Sequence, residues 1–560
     1  MVSSRLKRLF PFLGWTAPSF DTIRRDAWAG ITVGLVLVPQ AIAYASLAGM
    51  PPETGLYAAL LPSVIGVLWG SSSLLAVGPV ALTSLLVFGS LSDLAKPGSA
   101  HWVALAIWLS IYAGVIQLVL GLFRCGRIAN LVSQPVATGF INAAALIIIF
   151  SQLPALFGFA PTADSVQHLP AMLGQASVLA TTAVGCAAVA LLVALKRFAP
   201  KLPAMLIVAV AGIFLSWFYD FAALGVATIG KVPSGLPSLS LPPAISFDSH
   251  QQLWPAALII ALISFTEAMS SCRILARAKR EQWDQDQELV GQGLAKFVGG
   301  LTGTFPVSGS FSRSALNLYA GAVSAWSTLF AVLCVLLTLL FLTDEIRYLP
   351  RSVVAAMIIV PVLGLLDFAA MRRFFRIATT EGSIALVTFI VTLMSAPRLH
   401  WGIFAGIGLT MAAFLYRRTS PRIVEVALHE DGTMRDRHRF GLDPVASDVL
   451  AVRIDAALNF LTAAALERFI MERTGERPDI RRVWLCAGSI NDLDASGLDT
   501  LVTLKENLAR DGVDFYVSAL KMQVWNVIAQ SGAAGRLDQE RIFTTDAKAL
   551  AALRSATGAA

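Results

Sequence analysis

Residues 302–317 read TGTFPVSGSFSRSALN and place one arginine among hydroxyl side chains in a largely apolar chain. Arg313 supplies a positive charge, while Ser308, Ser310 and Ser312 supply hydrogen-bond donors. A cation beside several donors is the chemistry that binds an oxyanion, so we interpret this stretch as one wall of an anion site. An ordinary helix kink, with the arginine extended to the surface or held in a structural ion pair, would explain the same residues.

A carboxylate in the apolar segment LIIALISFTEAMSSCRIL, at residues 258–275, is the second candidate. An ionisable side chain within a membrane helix is costly and usually functional. Ser271 follows Glu267 by one helical turn, so both lie on the same helix face. Burial and a nearby Arg313 would act on this carboxyl in opposite directions, so Glu267 could carry a proton with each anion. A static Glu267–Arg313 pair that only stabilises the fold is the alternative.

The segment WAGITVGLVLVPQAIAYASLAG, at residues 28–49, contains the third candidate pair. Pro39 is expected to interrupt this helix, because proline lacks an N–H and clashes with the preceding turn. Gln40 then offers a donor and an acceptor to a cavity, with Tyr44 one turn later on the same side. Alternatively, Gln40 bonds to the carbonyl group that Pro39 leaves free.

Two further segments carry a proline followed by valine and a small residue: AVGPVALTS at 76–84 and GTFPVSGSF at 303–311. Aligning Pro79 with Pro306 predicts two short extended pieces, each followed by a helix. A helix start is equivalent to roughly half a positive charge, and free backbone groups at membrane depth must line a cavity or be buried in protein. Two starts facing one point, together with Arg313, give about +2, which matches a divalent oxyanion.

The composition predicts a polytopic α-helical membrane protein. Of the 560 residues, 56% are hydrophobic and 14% are charged, and the mean hydropathy is +0.69. A soluble fold cannot bury that much apolar side chain. The net charge of +7 comes from basic residues beside apolar segments, as the positive-inside rule expects, so nucleic acid is not a predicted partner.

We predict fourteen membrane spans, arranged as two halves of seven. An odd number in each half forces the second half to insert upside down, which predicts an inverted repeat. Basic residues flank alternate connections, so both termini are predicted to be cytoplasmic. The predicted spans are 27–48, 55–70, 73–94, 102–123, 130–157, 177–196, 202–221, 253–275, 286–301, 307–319, 321–342, 349–367, 381–396 and 399–417.

Other kinds of site find little support in the sequence. The five cysteines and six histidines show neither paired nor metal-ligand spacing, so no disulfide framework, metal or cofactor is expected. No nucleophile–base pair or Walker motif suggests an enzyme or an ATP-driven pump.

Three stretches in the expected order, residues 29–59, 76–82 and 288–317, resemble the sulfate permease family of anion transporters. The resemblance implies core and gate domains, and an anion held between the starts of the third and tenth helices and flanked by the first and eighth. Carried over by position, it implies a substrate site of Gln40, Tyr44, Val80, Ala81, Leu82, Ser271, Ser310, Ser312 and Arg313, with Glu267 as the proton-coupling residue.

The acidic residue bears on the substrate within this resemblance. Sodium-coupled bicarbonate relatives carry aspartate at the position of Glu267, whereas proton-coupled sulfate and dicarboxylate relatives tend to carry glutamate. Glu267 and the retained SFSRS pattern therefore favour proton-coupled sulfate uptake. A dicarboxylate or bicarbonate symporter, an anion exchanger, a passive channel, and a membrane-anchored anion sensor or scaffold that signals through its cytoplasmic domain remain alternatives.

The polar tail is predicted to be an irregular linker followed by a cytoplasmic α/β domain, because strand-like and helix-like patterns alternate after residue 448. The stretch NDLDASGLDTL resembles the signature of a STAS domain. Ala495 stands where related domains carry a phosphorylatable residue after the aspartate, so phosphate regulation there is not expected, and Ser496 is the predicted helix cap.

The family resemblance also implies a homodimer in the lipid bilayer, and a bacterial inner membrane is the expected location. A cytoplasmic protein partner of the STAS domain is a further possibility. The predicted organisation is a cytoplasmic N-terminal segment 1–26, a first half 27–221, a connecting loop 222–250, a second half 251–417, a linker 418–439 and a STAS domain 440–556.

Overall fold

The computed structural model describes residues 10–15, 17–127, 132–159, 176–199 and 202–555. Residues 1–9 of the predicted cytoplasmic segment and residues 160–175 of the loop between the fifth and sixth predicted spans lie outside the described residues. The chain divides into two compact units, Met1–Thr410 and Met411–Ala560.

In its described residues, the first unit consists of helices, most of them apolar, and one pair of three-residue strands. Its elements are α1 (Phe20–Leu47), α2 (Pro52–Ala58), α3 (Leu61–Trp69), β1 (Ala76–Gly78), α4 (Ala81–Leu91), α5 (Ala100–Leu122), α6 (Gln134–Phe157), α7 (Ala176–Phe198), α8 (Ala204–Phe218), α9 (Phe247–Lys279), α10 (Gln285–Leu301), β2 (Ser308–Ser310), α11 (Phe311–Tyr319), α12 (Trp326–Phe341), α13 (Thr343–Ile346), α14 (Arg351–Leu363), α15 (Phe368–Ile377), α16 (Thr379–Met394) and α17 (His400–Thr419), which ends in the second unit.

Each of the fourteen predicted apolar segments overlaps a helix. Among the described residues, six helical segments are long and apolar enough to cross a bilayer: Phe20–Leu47, Ala100–Leu122, Gln134–Phe157, Ala176–Phe198, Phe247–Lys279 and Arg351–Ile377. The predicted breaks in the third and tenth segments are present, since α4 has 11 residues and α11 has 9, fewer than the roughly 20 that a spanning helix needs.

The helices of the first unit form two packed groups. In one, α10 packs on α5 and α3, α9 packs on α5, and α12 packs on α1. In the other, α14 packs on α6 and α7, and α16 packs on α6. These groups correspond to the core and gate domains that the family resemblance implies. They meet where α1 contacts α14 and α8.

The first predicted span is not broken. Helix α1 runs through Pro39 without interruption, from Phe20 to Leu47. In membrane helices the carbonyl that proline leaves without a partner can be accommodated by neighbouring helices, and Pro39, Gln40 and Ala41 are all buried against other elements. The proline therefore does not create the expected irregular site.

The strands β1 and β2 pair in antiparallel register, with Val77 opposite Gly309. This pairing corrects the alignment of Pro79 with Pro306. Pro79 follows β1 and precedes Val80, the cap residue of α4, whereas Pro306 precedes β2, so that α11 begins only at Phe311. Two similar tripeptides suggested the alignment, but the two prolines lie at opposite ends of their strands.

The second unit contains a six-stranded sheet of order β4-β3-β5-β6-β7-β8. Strands β5 to β8 are parallel, and β3 and β4 add antiparallel at one edge. Its elements are β3 (Ile423–Leu428), β4 (Met434–Asp436), α18 (Arg437–Phe440), β5 (Val449–Ile454), α19 (Ala463–Glu476), β6 (Arg482–Cys486), α20 (Ala495–Arg510), β7 (Asp514–Ser518), α21 (Met522–Gln530), β8 (Ile542–Phe543) and α22 (Asp546–Ser555).

The predicted linker, residues 418–439, is wrong as a description of residues 423–439, because β3, β4 and most of α18 lie within them. The strand-like alternation of side chains in IVEVAL, at residues 423–428, is hard to recognise in the sequence because charged residues surround it. Glu425 lies within β3 and is only 6% exposed. Its carboxylate accepts hydrogen bonds from Arg437 (3.2 Å) and Arg477 (2.9 Å), so these charges stabilise a strand rather than a solvated loop.

The predicted cap of α20 is also wrong. Ser496 lies inside the helix, whereas Asp494 occupies the capping position. The Asp494 side chain accepts hydrogen bonds from the backbone N–H of Gly497 at 2.7 Å and from that of Phe460 at 3.0 Å. A carboxylate suits this position because it also interacts favourably with the positive end of the helix.

Candidate anion-binding site

A cavity of about 320 Å³ lies between the two groups of helices in the first unit. The starts of α4 and α11 border it, together with α1 and α9 from one group and α6 and α14 from the other. The lining residues are Tyr44, Val80, Ala81, Leu82, Ala137, Phe140, Ile141, Ile263, Thr266, Glu267, Ser270, Ser310, Phe311, Ser312, Pro361, Val362 and Leu365.

The β1–β2 pair brings the two helix starts to one place. The cap residue of α4, Val80, is extended, and no side chain in the described part of the chain caps this helix. At the other start, Ser310 Oγ accepts from the backbone N–H of Arg313 at 3.4 Å. Ser314 Oγ accepts from the backbone N–H of Ala76 at 2.9 Å, which ties α11 to β1. Both helices therefore begin at the cavity wall, with first-turn N–H groups near it.

Seven of the ten predicted site residues line this cavity: Tyr44, Val80, Ala81, Leu82, Glu267, Ser310 and Ser312. They come from four separated parts of the sequence. The two paired strands and the packing of α1 and α9 bring them together, so the clustering arises in the tertiary structure.

Arg313 does not line the cavity; it lies behind it and is 1% exposed. Its Nη1 donates to Gln40 Oε1 at 3.3 Å. The Nε and Nη2 atoms are buried without a hydrogen-bond partner among the described residues. A β-carbon added to Gly78 would lie 3.2 Å from Nη2, so a larger residue at that point of β1 would crowd the guanidinium.

Gln40 also lies away from the cavity. It is 5% exposed, and its Nε2 donates to Met205 Sδ at 3.2 Å. Its acceptor is taken by Arg313. Gln40 therefore orients the arginine, and it is not among the residues that border the cavity.

Glu267 lines the cavity as predicted, but Ser271 does not. The Ser271 hydroxyl donates to the Glu267 carbonyl of its own helix at 3.2 Å, and the side chain is buried. The hydroxyl-bearing residues of α9 that border the cavity are Thr266 and Ser270. Positions three and four residues apart both neighbour Glu267 on a helix, so spacing alone did not distinguish Ser270 from Ser271.

The Glu267 carboxylate interacts electrostatically with Arg313 and, more weakly, with Lys296. Its Oε2 atom is buried and has no hydrogen-bond partner in the described part of the chain. Lys296 was not predicted, although a single lysine within LVGQGLAKFVGG was a sequence signal that could have identified it.

The gate side of the cavity is apolar. Phe140 and Ile141 of α6 and Pro361, Val362 and Leu365 at the end of α14 form this wall. Sequence reasoning did not identify these residues, because nothing distinguishes them from the other apolar residues of their segments. No group of three or more His, Cys, Asp or Glu side chains placed to hold a metal ion occurs among the described residues.

A family model described as Sulfate permease family matches residues 23–388, well over half of the chain, and a model described as STAS domain matches residues 443–549. The chain belongs to the sulfate permease family. The predicted family is therefore confirmed, as is the fold class of a multi-pass helical membrane domain followed by a STAS domain.

Curated relatives match this family member over nearly its whole length. Probable sulfate transporter Rv1739c of Mycobacterium tuberculosis is 30% identical over 550 residues, which cover 95% of each chain. Sulfate transporter 4.1, chloroplastic, of Arabidopsis thaliana is 29% identical over 566 residues, which cover 96% of this chain and 81% of that one. These relatives are named as transporters and not as enzymes.

Two solved structures share the fold of this sulfate permease family member. The murine Solute Carrier 26 family member A9 anion transporter, in its inward-facing state, gives a TM-score of 0.89 at 20% identity and covers 99% of this chain and 95% of its own. The transmembrane domain of the cyanobacterial bicarbonate transporter BicA gives a TM-score of 0.61 at 21% identity and covers 70% of this chain and 98% of its own.

Proposed function

We propose that this protein is a secondary active transporter that takes up sulfate together with protons by alternating access. The observation that carries the proposal is the cavity between the two helix groups, where two helix starts, serine hydroxyls and Glu267 meet in front of Arg313. Curated relatives named as sulfate transporters support the substrate class.

Each part of the proposed site has a separate task. The hydroxyls of Ser310 and Ser312 and the N–H groups at the start of α4 donate hydrogen bonds to the anion. Arg313 acts from behind β1 as a fixed positive charge, which is strong in a site that excludes most water. Tyr44 borders the cavity from α1. A volume of about 320 Å³ lies near the lower end of the roughly 300–1,000 Å³ of small-molecule sites, which suits a small anion.

Glu267 is proposed to carry the coupled proton. Its carboxylate borders the cavity and has an oxygen without a partner among the described residues. A protonated Glu267 adds a donor and removes a negative charge, so protonation favours anion binding. After the anion leaves, it no longer neutralises the positive charge of Arg313. That charge then favours the ionised form of Glu267 and therefore loss of the proton.

Movement of the two helix groups against each other would provide alternating access. The polar side of the cavity belongs to the group of α1, α9, β1 and β2, and the apolar side belongs to the group of α6 and α14. Apolar side chains form no hydrogen bonds with the bound anion, so this group of helices can move past the loaded site without breaking any. We further propose a bacterial inner membrane, cytoplasmic termini, a homodimer and a STAS domain that binds a cytoplasmic partner.

The deciding experiment measures radioactive sulfate uptake by the purified full chain in liposomes, with and without an inward proton gradient. Gradient-driven accumulation is expected. Uptake that never exceeds equilibrium despite the gradient would contradict secondary active transport and favour a channel. Saturable binding without flux would favour the sensor or scaffold.

The same liposomes identify the substrate. Unlabelled sulfate, succinate, bicarbonate and chloride are added in turn as competitors, and sulfate is expected to compete most strongly. Stronger competition by succinate or bicarbonate would assign a dicarboxylate or bicarbonate transporter instead. Exchange that requires an internal anion and ignores the proton gradient would assign an exchanger.

A further inference from the structure

Lys296 is a buried cation in α10 to which the proposed transport steps assign no role. Its side chain is 0% exposed. Its Nζ donates to Gln117 Oε1 of α5 at 2.9 Å. Gln117 is neutral, so this hydrogen bond does not neutralise the ammonium, and a buried charge without compensation is costly.

A close crossing of α5 and α10 positions this lysine. A β-carbon added to Gly293 would lie 2.7 Å from the backbone N of Leu118, and one added to Gly114 would lie 2.8 Å from the carbonyl oxygen of Gly293. Only glycine allows this approach at both positions. Gln117 and Lys296 each follow their glycine by three residues, so both side chains lie beside the crossing on neighbouring helix faces.

The hydrogen bonds continue from Gln117 to α9 and β2. Gln117 Nε2 donates to the Ala261 carbonyl at 2.7 Å and lies 3.1 Å from Ser264 Oγ. Ser308 Oγ of β2 donates to the Ser264 carbonyl at 2.9 Å. Lys296 is therefore linked to the turn of α9 that immediately precedes Glu267, and to the strand that precedes the proposed anion site.

Few charged groups face Lys296 from the elements packed around it. Helices α5 and α3 contain no Asp, Glu, Lys or Arg. On α10 itself, the Glu288 carboxylate is occupied by the backbone N–H groups of Ser71 and Ser72. Lys296 interacts electrostatically with Glu267 of α9, which also interacts with Arg313 of α11.

These charges fit a divalent anion. Arg313 and Lys296 together carry two positive charges, which a divalent anion neutralises when Glu267 is protonated. The partial positive charges of the two helix starts act on the anion with or without Lys296. Counting side-chain charges only, Arg313 alone would leave the same protonated site neutral with a monovalent anion and net negative with a divalent one. Net buried charge is strongly unfavourable.

We propose that Lys296 is the second cation of the transport site and selects divalent over monovalent anions. This inference rests on the proposed function, because it assigns a substrate charge to that same cavity. Lys296 acts through the electric field and not by contact, since it is not among the residues that border the cavity. It is a specificity-determining residue whose effect scales with the charge of the anion.

The test compares sulfate and chloride in the full-length protein. Dissociation constants are measured by thermal stabilisation and by competition for uptake in liposomes, for the wild type and for Lys296→Gln. The variant is expected to bind sulfate about tenfold more weakly and chloride about threefold more weakly, because the Coulomb energy lost for the divalent anion is twice that lost for the monovalent one. The sulfate-to-chloride ratio is therefore expected to shift about threefold. Lys96→Gln makes the same substitution at an exposed loop position and is expected to keep the wild-type ratio.

A second variant keeps the experiment decisive if Lys296→Gln does not fold. Gln117→Glu retains the lysine and places a compensating carboxylate on its ammonium, so it is expected to shift the sulfate-to-chloride ratio in the same direction. Lys296→Arg retains the charge and is expected to retain the preference for sulfate.

The outcomes distinguish this inference from the proposed function. An unchanged sulfate-to-chloride ratio in folded Lys296→Gln or Gln117→Glu protein, with normal wild-type transport, overturns the role of Lys296 alone. A wild-type protein that neither binds nor moves any anion overturns the proposed function, and the charge selection with it.

Discussion

Glu267 and Glu288 each bury carboxylate oxygens in the first unit, but their hydrogen bonding differs. The Glu288 Oε2 atom accepts from the backbone N–H of Ser71 at 2.9 Å and of Ser72 at 3.1 Å, and Oε1 accepts from Gln292 Nε2 at 3.3 Å. The Glu267 Oε2 atom has no such partner among the described residues. One carboxylate is saturated by the protein, and the other retains an unused acceptor.

We interpret this difference as the difference between a structural carboxylate and one that is available for the proposed function. Buried polar groups are almost always hydrogen-bonded, so an exception calls for an explanation. Glu288 joins α10 to the loop after α3, and both of its carboxylate oxygens accept hydrogen bonds from the protein. Glu267 borders a cavity with an oxygen available for a proton, and Arg313 behind it likewise has unpartnered nitrogens.

Asp26 and Glu425 behave like Glu288. Asp26 is 0% exposed, and its Oδ1 accepts from the backbone N–H of Val323 at 2.7 Å and of Ser324 at 3.1 Å. In the second unit, Glu425 is held by arginine side chains. Saturated carboxylates thus stabilise both units, and the unsaturated one lies at the proposed transport site.

The largest expected effect comes from Arg313→Ala. Removing this buried charge should lower sulfate uptake on the order of a hundredfold or more, equivalent to about 3 kcal/mol, because Glu267 would then lose the cation with which it interacts most strongly. Arg197→Ala, at an exposed position of α7, is the matched control and should transport normally. Undiminished uptake by a folded Arg313→Ala protein would remove the arginine from the site.

Glu267→Gln should abolish the pH dependence of transport. Wild-type uptake is expected to rise as the external pH falls, by up to about tenfold per unit for one coupled proton, because the loaded site requires the protonated carboxyl. The glutamine variant is permanently uncharged, so its uptake should stay flat, while Glu267→Asp should still titrate. A sloping pH profile in the glutamine variant would exclude Glu267 as the coupling residue.

Glu288→Gln should act on stability and not on transport chemistry. Charge-assisted hydrogen bonds to two backbone N–H groups would be weakened, at a cost of roughly 1.5–3 kcal/mol. The expected result is a lower melting temperature of the detergent-purified protein, with sulfate affinity and pH profile retained by the folded fraction. An altered pH profile at unchanged stability would reverse the roles assigned to the two glutamates.

Asp494→Ala should give the smallest effect. Loss of the helix cap and of the contact with Phe460 should destabilise the second unit by about 0.5–2 kcal/mol, seen as a lower melting temperature. Ser496→Ala is the internal comparison and should change stability by less, since Ser496 lies inside α20. If the serine variant were the less stable one, the cap assignment would be wrong.

The sequence by itself determined the class of the molecule and the apolar segments, and it supplied the candidate residues of the proposed site. Apolar runs specify membrane helices whatever their neighbours are, because lipid leaves no other way to satisfy the backbone. The types and spacing of Ser310, Ser312, Arg313 and Glu267 indicated an anion and a proton before any contact was known. Each family motif lies within one continuous stretch of the sequence, so the motifs too can be recognised without the structure.

Only the tertiary structure decided which side chains face the cavity and which lie behind it. Gln40 and Arg313 are in contact although 273 positions separate them, and Ser270 replaces Ser271 at the cavity because helix packing sets the rotation of α9. The position of Lys296 is likewise set by the close crossing of α5 and α10 at Gly114 and Gly293. Orientation depends on packing between distant segments, and that information is not contained in the spacing of residues along one segment.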